Sequence, residues 1–197
     1  MKIGFDLDGV LAEFTVSYLQ YYNDKHSTHY TPTEFEHTHF SERLGMTSDE
    51  VKKSITHFFH SPFAKAIMPV KRAQEVLKEL AEGHELHVIT SRPVSVSKIT
   101  LDWLNDFFPD LFTSIHFSSD WVLQPETNKM KADFCLDLGI DILIEDYLPY
   151  AEECAVCVRK NILLFDRPWN HKPIKKPNIT RVADWSAVLK FINEVSL

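Results

Sequence analysis

Two aspartates separated by one residue stand directly after a short apolar run near the N-terminus. The run ends at Phe5, and the chain continues as Asp6, Leu7, Asp8 and Gly9. Because successive side chains of a strand point to opposite faces, we expect the two carboxylates on one side and Leu7 in the core. Adjacent carboxylates repel each other and are costly unless a cation lies between them. The pattern therefore predicts a metal-assisted site whose two carboxylates have different roles.

Two other kinds of structure can contain the sequence Asp-x-Asp. A surface hairpin turn can carry two acidic residues, and an EF-hand calcium loop also starts with D-x-D. An EF-hand would need an oxygen ligand where Val10 stands and a glutamate at its twelfth position, which is Ser17. The apolar strand that leads into the motif also argues against both alternatives.

The elements that must position this site follow from the hydrophobic pattern after residue 69. Predicted strands cover residues 85–90, 114–117, 140–144 and 162–165, and predicted helices cover 70–82, 96–108, 129–138, 149–158 and a last segment after Asp184 that ends near Val195. Alternating strands and helices predict an α/β fold with a mostly parallel sheet and helices on both faces. Ligands of such sheets bind beyond the carboxyl ends of the strands, where Thr90 and the pair Glu145-Asp146 also stand.

Residues 15–68 interrupt this alternation and are predicted to form a mostly helical insertion. One helix is expected from Phe14 to Asp24, a second from Pro32 to about Glu42, and a third after the capping-box sequence Thr47–Glu50. The predicted organisation is therefore a catalytic core of residues 1–14 and 69–197 with a small helical cap of residues 15–68.

Composition narrows the functional classes. No run approaches ~20 apolar residues, so no membrane span is expected. The three cysteines are an odd number, which favours a reducing, cytoplasmic setting over a disulfide framework. A net charge of −7 argues against a nucleic-acid polymer as partner. An anionic substrate would need local positive charge from a metal and a few basic residues.

Four short motifs in chain order resemble those of the haloacid dehalogenase superfamily. They are the segment Asp6–Val10, the strand-end Thr90, a lysine at the start of a helix, and Glu145-Asp146. The helical register favours Lys131 as that lysine, with Lys129 as the competitor. The resemblance implies a three-layer α/β/α Rossmann-like core. It also implies a phosphatase rather than a dehalogenase. The alkoxide that leaves a phosphate ester needs a proton, and an acid at the position of Asp8 can donate it.

The resemblance implies a role for each catalytic residue. Asp6 would attack phosphorus and carry an aspartyl-phosphate intermediate. Asp8 would protonate the leaving oxygen and later activate water. Lys131 would balance the charge of the phosphate and of Asp6. Mg²⁺ would be held by the Asp6 carboxylate, the Asp8 main-chain carbonyl and Asp146, with Glu145 acting through water.

The phosphate itself would be bound at the ends of two strands. Thr90 would hydrogen-bond a phosphoryl oxygen, aided by the main-chain N–H groups of Leu7 and Ser91. Arg92 follows in the chain and is long enough to contact the phosphate or the sugar, with a structural salt bridge as the equally weighted alternative.

Four sequence features resemble the C-type 5′(3′)-deoxyribonucleotidases and their bacterial relatives. They are the start FDLDGVLAEF, the helical cap directly after it, and the segments SPFAKAIMPV and LLFDRPWN. This resemblance implies a 5′-nucleotidase of deoxyribonucleotide catabolism, with Phe14 and Phe63 as aromatic residues for the base. The alternatives are a phosphatase for a sugar phosphate or another small metabolite, motivated by the His-rich cap, and an inactive phosphate-binding regulatory protein. Base, sugar and oligomeric state stay open, with a homodimer among the options.

Overall fold

The computed structural model describes residues 1–35, 40–119 and 129–196. Its centre is a six-stranded parallel sheet in the order β3-β2-β1-β4-β5-β6, which confirms the predicted α/β class. The strands are β1 (Lys2–Phe5), β2 (Glu85–Pro93), β3 (Ser114–Ser119), β4 (Ile142–Glu145), β5 (Asn161–Phe165) and β6 (Ile179–Val182).

The helices fall into two groups along the chain. Those between the first two strands are α1 (Phe14–His26), α2 (Phe40–Leu44), α3 (Ser48–Phe59), α4 (Pro62–Lys65) and α5 (Ala73–Ala81), with a 3-10 turn at Pro32–Phe35. Those that alternate with the remaining strands are α6 (Ser97–Phe107), α7 (Lys131–Leu138), α8 (Leu148–Cys154) and α9 (Trp185–Val195). Among the described residues, no helix is long and apolar enough to cross a membrane.

The central position of β1 determines where the site can form. Phe5 pairs with Val88 of β2 on one side and with Ile144 of β4 on the other. Strands buried on both faces are apolar throughout, and β4 is buried along its whole length. The residues that follow β1, the last residues of β2 and the end of β4 therefore meet at one edge of the sheet.

The insertion after β1 packs through aromatic side chains. Tyr18 of α1 is fully buried and donates a hydrogen bond to Ser54 Oγ of α3 at 3.0 Å. Phe14 stacks on Tyr18 and meets Phe58 edge-on, with ring centroids 5.7 and 5.5 Å apart. Thr47 and Glu50 form the predicted capping box at the start of α3. The division into core and cap at residues 15 and 68 stays a prediction.

Several predicted boundaries need correction. Strand β2 does not end at Thr90 but continues to Pro93 through a register shift against β3. Strand β6 was not predicted, because it is a short edge strand with two half-exposed residues and so lacks a strong hydrophobic pattern. The predicted second helix is a 3-10 turn at Pro32–Phe35 and a separate short α2, and residues 36–39 of that prediction lie outside the described residues.

The last helix is attached to the core at its first turn. Asp184 accepts hydrogen bonds from the backbone N–H groups of Ser186 and Ala187 at 2.8 and 2.9 Å, as its predicted capping role requires. Trp185 is fully buried against Phe5 and Phe165, and its indole N–H donates to the Val10 carbonyl at 3.2 Å. The helix cap thus fixes a side chain that supports the turn after β1.

Replacing Asp184 by alanine tests this attachment. We expect Asp184→Ala to lower the free energy of unfolding by about 1 kcal/mol, because two N–H groups of α9 lose their acceptor. Asp184→Asn keeps a side-chain oxygen and should stay within a few tenths of a kcal/mol of the parent, about the difference between good caps. Urea unfolding measures both, and equal losses in the two variants would contradict a capping role.

Candidate active site

The turn after β1 is shaped by a glycine that no other residue can replace without strain. Gly9 has a φ of +84°, and a Cβ built there would lie 2.0 Å from Asp146 Oδ2. Its N–H donates to the Ala12 carbonyl, and its own carbonyl accepts a hydrogen bond from Arg167 Nε at 2.8 Å. The backbone of the first motif therefore packs directly against the Asp146 carboxylate at the end of β4.

A buried lysine lies at the centre of the site. Lys131 Nζ is 2.7 Å from Asp6 Oδ1 and 2.6 Å from Glu145 Oε2, and its side chain is 2% exposed. Lys129, the competing lysine, lies at the surface and pairs with Asp137. Helix α7 begins at Lys131, so its first residue points towards the carboxyl ends of β1 and β4. The structure thus brings Lys131, and not Lys129, to Asp6.

Three buried carboxylates form a group that could hold a metal ion. One oxygen from each of Asp6, Glu145 and Asp146 lies within 4.8 Å of the others. Burial is the largest influence on Asp6 and, with the charges of Glu145 and Asp8, outweighs Lys131 and raises the pKa of Asp6 to about 7. Burial, followed by the charges of Asp6 and Glu145, raises the pKa of Asp146 well above its usual range. These shifts indicate negative charge that the surrounding protein does not fully balance.

Lys131 responds to the same charges in the opposite sense. Burial alone would lower the pKa of its ammonium group, but the adjacent Asp6 and Glu145 carboxylates outweigh burial and raise it above the ordinary value. The lysine therefore stays charged. Among the described residues, Lys131 is the lysine that hydrogen-bonds to the buried carboxylates. The three carboxylates therefore share one ammonium group.

The two acids of the fourth motif are held differently. Glu145 Oε1 accepts hydrogen bonds from the backbone N–H groups of Asp146 and Tyr147 at 3.1 and 3.0 Å. Asp146 Oδ2 accepts a hydrogen bond from the indole N–H of Trp169 at 2.8 Å. Asn170 donates to the Asp146 carbonyl at 2.7 Å.

Trp169 and Asn170 received no role from the sequence. Both lie in the segment that follows β5, and β5 pairs directly with β4. The rule that ligands bind at the carboxyl ends of parallel strands could have indicated them. Their apolar and amide side chains carry no catalytic signature, however, so their contact with Asp146 is visible only in the folded chain.

Arg92 forms the structural salt bridge that was one of its two predicted roles. Its guanidinium donates from Nε and Nη2 to the two carboxylate oxygens of Asp8 at 2.9 and 2.6 Å. It also donates to Thr100 Oγ1 at 3.2 Å, and it lies over the Phe59 ring of α3 at 4.7 Å from the centroid. Arg92 therefore orients the Asp8 side chain and connects it to the helical insertion.

Thr90 and Ser91 lie near the end of β2, beside Asp6 and Lys131. Thr90 Oγ1 accepts a hydrogen bond from the Arg92 backbone N–H at 3.1 Å, so its own hydroxyl proton is directed elsewhere. Ser91 lines the same small cavity as Thr90, Asp6 and Lys131. The Leu7 side chain is fully buried, as its position between the two aspartates predicts.

Two adjoining cavities open above this group. The smaller, about 200 Å³, contains Asp6, Thr90 and Lys131. The larger, about 490 Å³, extends towards Trp169 and the segment after β5. Phe14 lines both cavities, whereas Phe63 lines neither and packs against Tyr21. Phe14 therefore lies at both cavities and Phe63 at neither, while a role of either residue in binding a base stays a prediction.

Comparison with known proteins gives a family match over almost the whole chain. The family model described as "5' nucleotidase, deoxy (Pyrimidine), cytosolic type C protein" matches residues 1–196. Two curated relatives carry the name "Putative nucleotidase". BH1399 of Halalkalibacterium halodurans is 25% identical over 98% of this chain and 93% of its own length. YqfW of Bacillus subtilis is 22% identical over 98% and 94%.

Solved structures share the fold. A haloacid dehalogenase-like hydrolase, SP0104 from Streptococcus pneumoniae, superposes with a TM-score of 0.67 at 14% identity over 97% of both chains. A predicted phosphatase from Clostridium acetobutylicum superposes with a TM-score of 0.67 at 20% identity over 98% of both chains. At these identities the likeness establishes the fold alone.

A methyl group at Gly9 tests the contact with Asp146. We expect Gly9→Ala to displace the Asp146 carboxylate and so to abolish stabilisation of the protein by added Mg²⁺ in a thermal-unfolding titration. Gly45→Ala is the matched control, because Gly45 also has a positive φ, +65°, but nothing lies within 4 Å of its Cβ position. Both variants carry backbone strain of about 1–2 kcal/mol. An equal Mg²⁺ response in the two variants would contradict the contact's importance.

Proposed function

The chain belongs to the haloacid dehalogenase superfamily and to its cytosolic type C 5′-nucleotidase family, and from this premise we propose a Mg²⁺-dependent phosphomonoesterase that hydrolyses 5′-nucleotides, deoxyribonucleoside monophosphates in particular. The observation that carries the proposal is the buried contact of Lys131 with Asp6 and Glu145 beside Asp146, at the edge of the sheet where the motifs meet. This arrangement provides a nucleophile, a fixed cation and metal-binding carboxylates in one cavity.

The donor set fits a hard divalent cation. Haloacid dehalogenase hydrolases generally use Mg²⁺, which prefers carboxylate and carbonyl oxygens and keeps several of its waters. Asp6 and Asp146 would hold it through their carboxylates and Asp8 through its main-chain carbonyl. Glu145 already accepts two backbone hydrogen bonds and contacts Lys131, which agrees with a role through water. When bound, the ion would neutralise charge on the carboxylates and on the phosphoryl group.

Asp6 is the proposed nucleophile. Its carboxylate would attack phosphorus and form an aspartyl-phosphate, which water then hydrolyses. Lys131 keeps a positive charge 2.7 Å from Asp6 Oδ1 and so would stabilise the charge that develops on the phosphoryl oxygens. The Thr90 hydroxyl and the main-chain N–H groups of Leu7 and Ser91 would orient those oxygens.

Asp8 is the proposed acid and base. It would donate a proton to the departing alkoxide and later accept one from the attacking water. Its carboxylate is hydrogen-bonded twice to Arg92 and is partly exposed, with 26% of the side chain accessible. Arg92 would therefore position Asp8 rather than bind the phosphate directly.

The helical insertion would enclose the leaving group. Ile55 and Phe59 of α3 line the smaller cavity, and Phe35 and Phe40 line the larger one. This supports residues 15–68 as a cap. The three cysteines are free, which together with the family's description supports a cytoplasmic location.

Hydrolysis of a nucleotide panel tests the function. We expect release of inorganic phosphate from deoxyribonucleoside 5′-monophosphates in the presence of Mg²⁺, and loss of turnover on addition of EDTA. A panel of sugar phosphates under the same conditions is the comparison. If the protein hydrolyses sugar phosphates but no nucleotide, the proposed nucleotidase would be wrong and a phosphatase for small metabolites would be favoured. If p-nitrophenyl phosphate is not hydrolysed in the presence of Mg²⁺, the result would favour an inactive, phosphate-binding regulatory protein.

Two isosteric substitutions separate the roles of the aspartates. Asp6→Asn should reduce turnover to background and form no acid-labile phosphoenzyme, because the nucleophile is lost. Asp8→Asn should slow phosphoenzyme formation from a nucleotide by ~10²–10⁴-fold, the usual contribution of general acid catalysis. It should slow formation from p-nitrophenyl phosphate much less, because phenolate leaves without a proton.

Burst kinetics with both substrates measures these rates. Because Asp8 would also activate water, the phosphoenzyme should accumulate in Asp8→Asn. Equal impairment of phosphoenzyme formation from the two substrates would show that Asp8 is not the leaving-group acid.

A further inference from the structure

We propose that Trp169 is a positioning residue for the divalent cation, because its indole N–H orients the Asp146 carboxylate without neutralising it. This inference rests on the proposed Mg²⁺-dependent function and adds a residue that acts on the cation through one of its ligands. Three observations carry it: the hydrogen bond to Asp146, the neutral character of the donor, and the anchored segment that carries Trp169.

The indole N–H of Trp169 is directed at one atom of the buried carboxylates. Its Nε1 lies 2.8 Å from Asp146 Oδ2, a normal length for an N–H···O hydrogen bond. An ionised carboxylate has about four acceptor positions on its two oxygens, so this bond occupies one of them and leaves others for a cation. The indole therefore restricts rotation of the carboxylate and does not block it.

The backbone on either side of the site restricts Asp146 as well. A Cβ at Gly9 would lie 2.0 Å from Asp146 Oδ2, so the turn after β1 packs closely against the same oxygen that Trp169 contacts. Asn170 donates to the Asp146 carbonyl at 2.7 Å. Two consecutive residues after β5 thus hold the side chain and the main chain of Asp146.

The donors that contact the three buried carboxylates differ in charge. The Lys131 ammonium group contacts Asp6 and Glu145, whereas Trp169 donates to Asp146 from a neutral N–H. An ammonium or guanidinium group in the place of the indole would compensate the charge of Asp146 and repel a cation. A neutral donor fixes the direction of the carboxylate and leaves its negative charge for the cation.

The segment that carries Trp169 is anchored to both neighbouring parts of the fold. Arg167 Nε donates to the Gly9 carbonyl at 2.8 Å. Arg181 of β6 donates to the Asn170 carbonyl at 2.7 Å and also to Asn170 Oδ1. Residues that orient metal ligands act through such fixed positions, because a mobile donor would not hold the ligand in one direction.

A second role for the same ring is that of a cavity wall, since Trp169 is half-buried and lines the larger cavity. The two roles predict different measurements. Loss of a wall changes KM for the phosphate ester at saturating Mg²⁺. Loss of the indole N–H changes the Kd for Mg²⁺ when no ester is present. The test must therefore remove the N–H and keep an aromatic ring.

The variant Trp169→Phe makes this change. We expect the Kd for Mg²⁺, measured by calorimetry without substrate, to rise by about 10–100-fold, the usual effect of removing a residue that orients a metal ligand. The Mg²⁺ concentration for half-maximal turnover should rise by a similar factor, because the metal site is then filled only at higher concentration. Saturating Mg²⁺ should restore most of kcat.

The matched control is Trp103→Phe. The Trp103 indole N–H donates at 2.9 Å to the Ile67 carbonyl, a main-chain oxygen outside the group of buried carboxylates. Both variants lose one indole donor and the same side-chain volume, so a general effect on the fold would occur in both. We expect the Kd for Mg²⁺ to stay at the parent value in Trp103→Phe. Circular dichroism without Mg²⁺ checks the fold of each variant.

The indole signals of the parent protein provide a measurement that does not depend on a variant's stability. The chain has four tryptophans, and a proton–nitrogen correlation spectrum shows an indole N–H signal for each. Sequential assignment, or absence from Trp169→Phe, identifies the signal of Trp169. Because its acceptor is the proposed metal ligand, we expect Mg²⁺ to shift this signal more than that of Trp103, with the Kd found by calorimetry.

The outcomes separate this inference from the function on which it rests. If the parent binds Mg²⁺ and hydrolyses nucleotides but Trp169→Phe keeps the parent Kd for Mg²⁺, the positioning role is overturned and the proposed function stands. A Trp169 signal that does not respond to Mg²⁺, or an equal rise of Kd in Trp103→Phe, overturns the role in the same way. If the parent shows neither Mg²⁺ binding nor Mg²⁺-dependent turnover, the proposed function is itself wrong.

Discussion

The buried contact between Lys131 and the acidic residues at the ends of β1 and β4 is the interaction on which the site depends. Burying ionised groups costs several kcal/mol for each unless partners are in place, and removing one partner of a buried pair commonly costs 3–5 kcal/mol. Asp6, Glu145 and Asp146 lie within 4.8 Å of one another with one ammonium group between two of them. This excess of negative charge is unfavourable by itself and favours the binding of a divalent cation. Stability is thus given up where the chemistry requires charge.

The surrounding structure holds this cluster in position through backbone groups. The Gly9 turn passes so close to Asp146 that a side chain has no room there. Backbone N–H groups orient Glu145, while Trp169 and Asn170 hold Asp146 from the end of β5. Three neighbouring strands therefore contribute to one carboxylate group. A parallel sheet achieves this because the carboxyl ends of its strands all lie at the same edge.

Arg92 connects the catalytic edge to the helical insertion. It contacts both oxygens of Asp8 and lies against Phe59, whose ring stacks near Phe14 with centroids 5.8 Å apart. A change in the packing of α3 would therefore reach Asp8 through a single side chain. Phe14 lines both cavities and Phe59 lines the smaller one, so the insertion contributes both to the position of Asp8 and to the walls of the cavities.

The sequence by itself determined the fold class, the positions of Asp6, Asp8, Glu145 and Asp146 at or just after the ends of strands, and the superfamily. These depend on local patterns: apolar runs, helix caps and short motifs whose spacing is set by one strand or one turn. Only the tertiary structure placed Lys131 rather than Lys129 at Asp6 and paired Arg92 with Asp8. Only the tertiary structure also shows that Phe63 lines neither cavity, whereas Trp169 and Glu152 line the larger one. Those outcomes depend on contacts between residues up to 125 positions apart in the chain. Whether two residues so far apart in the sequence come into contact depends on how helices and strands pack. A local sequence pattern does not contain that information.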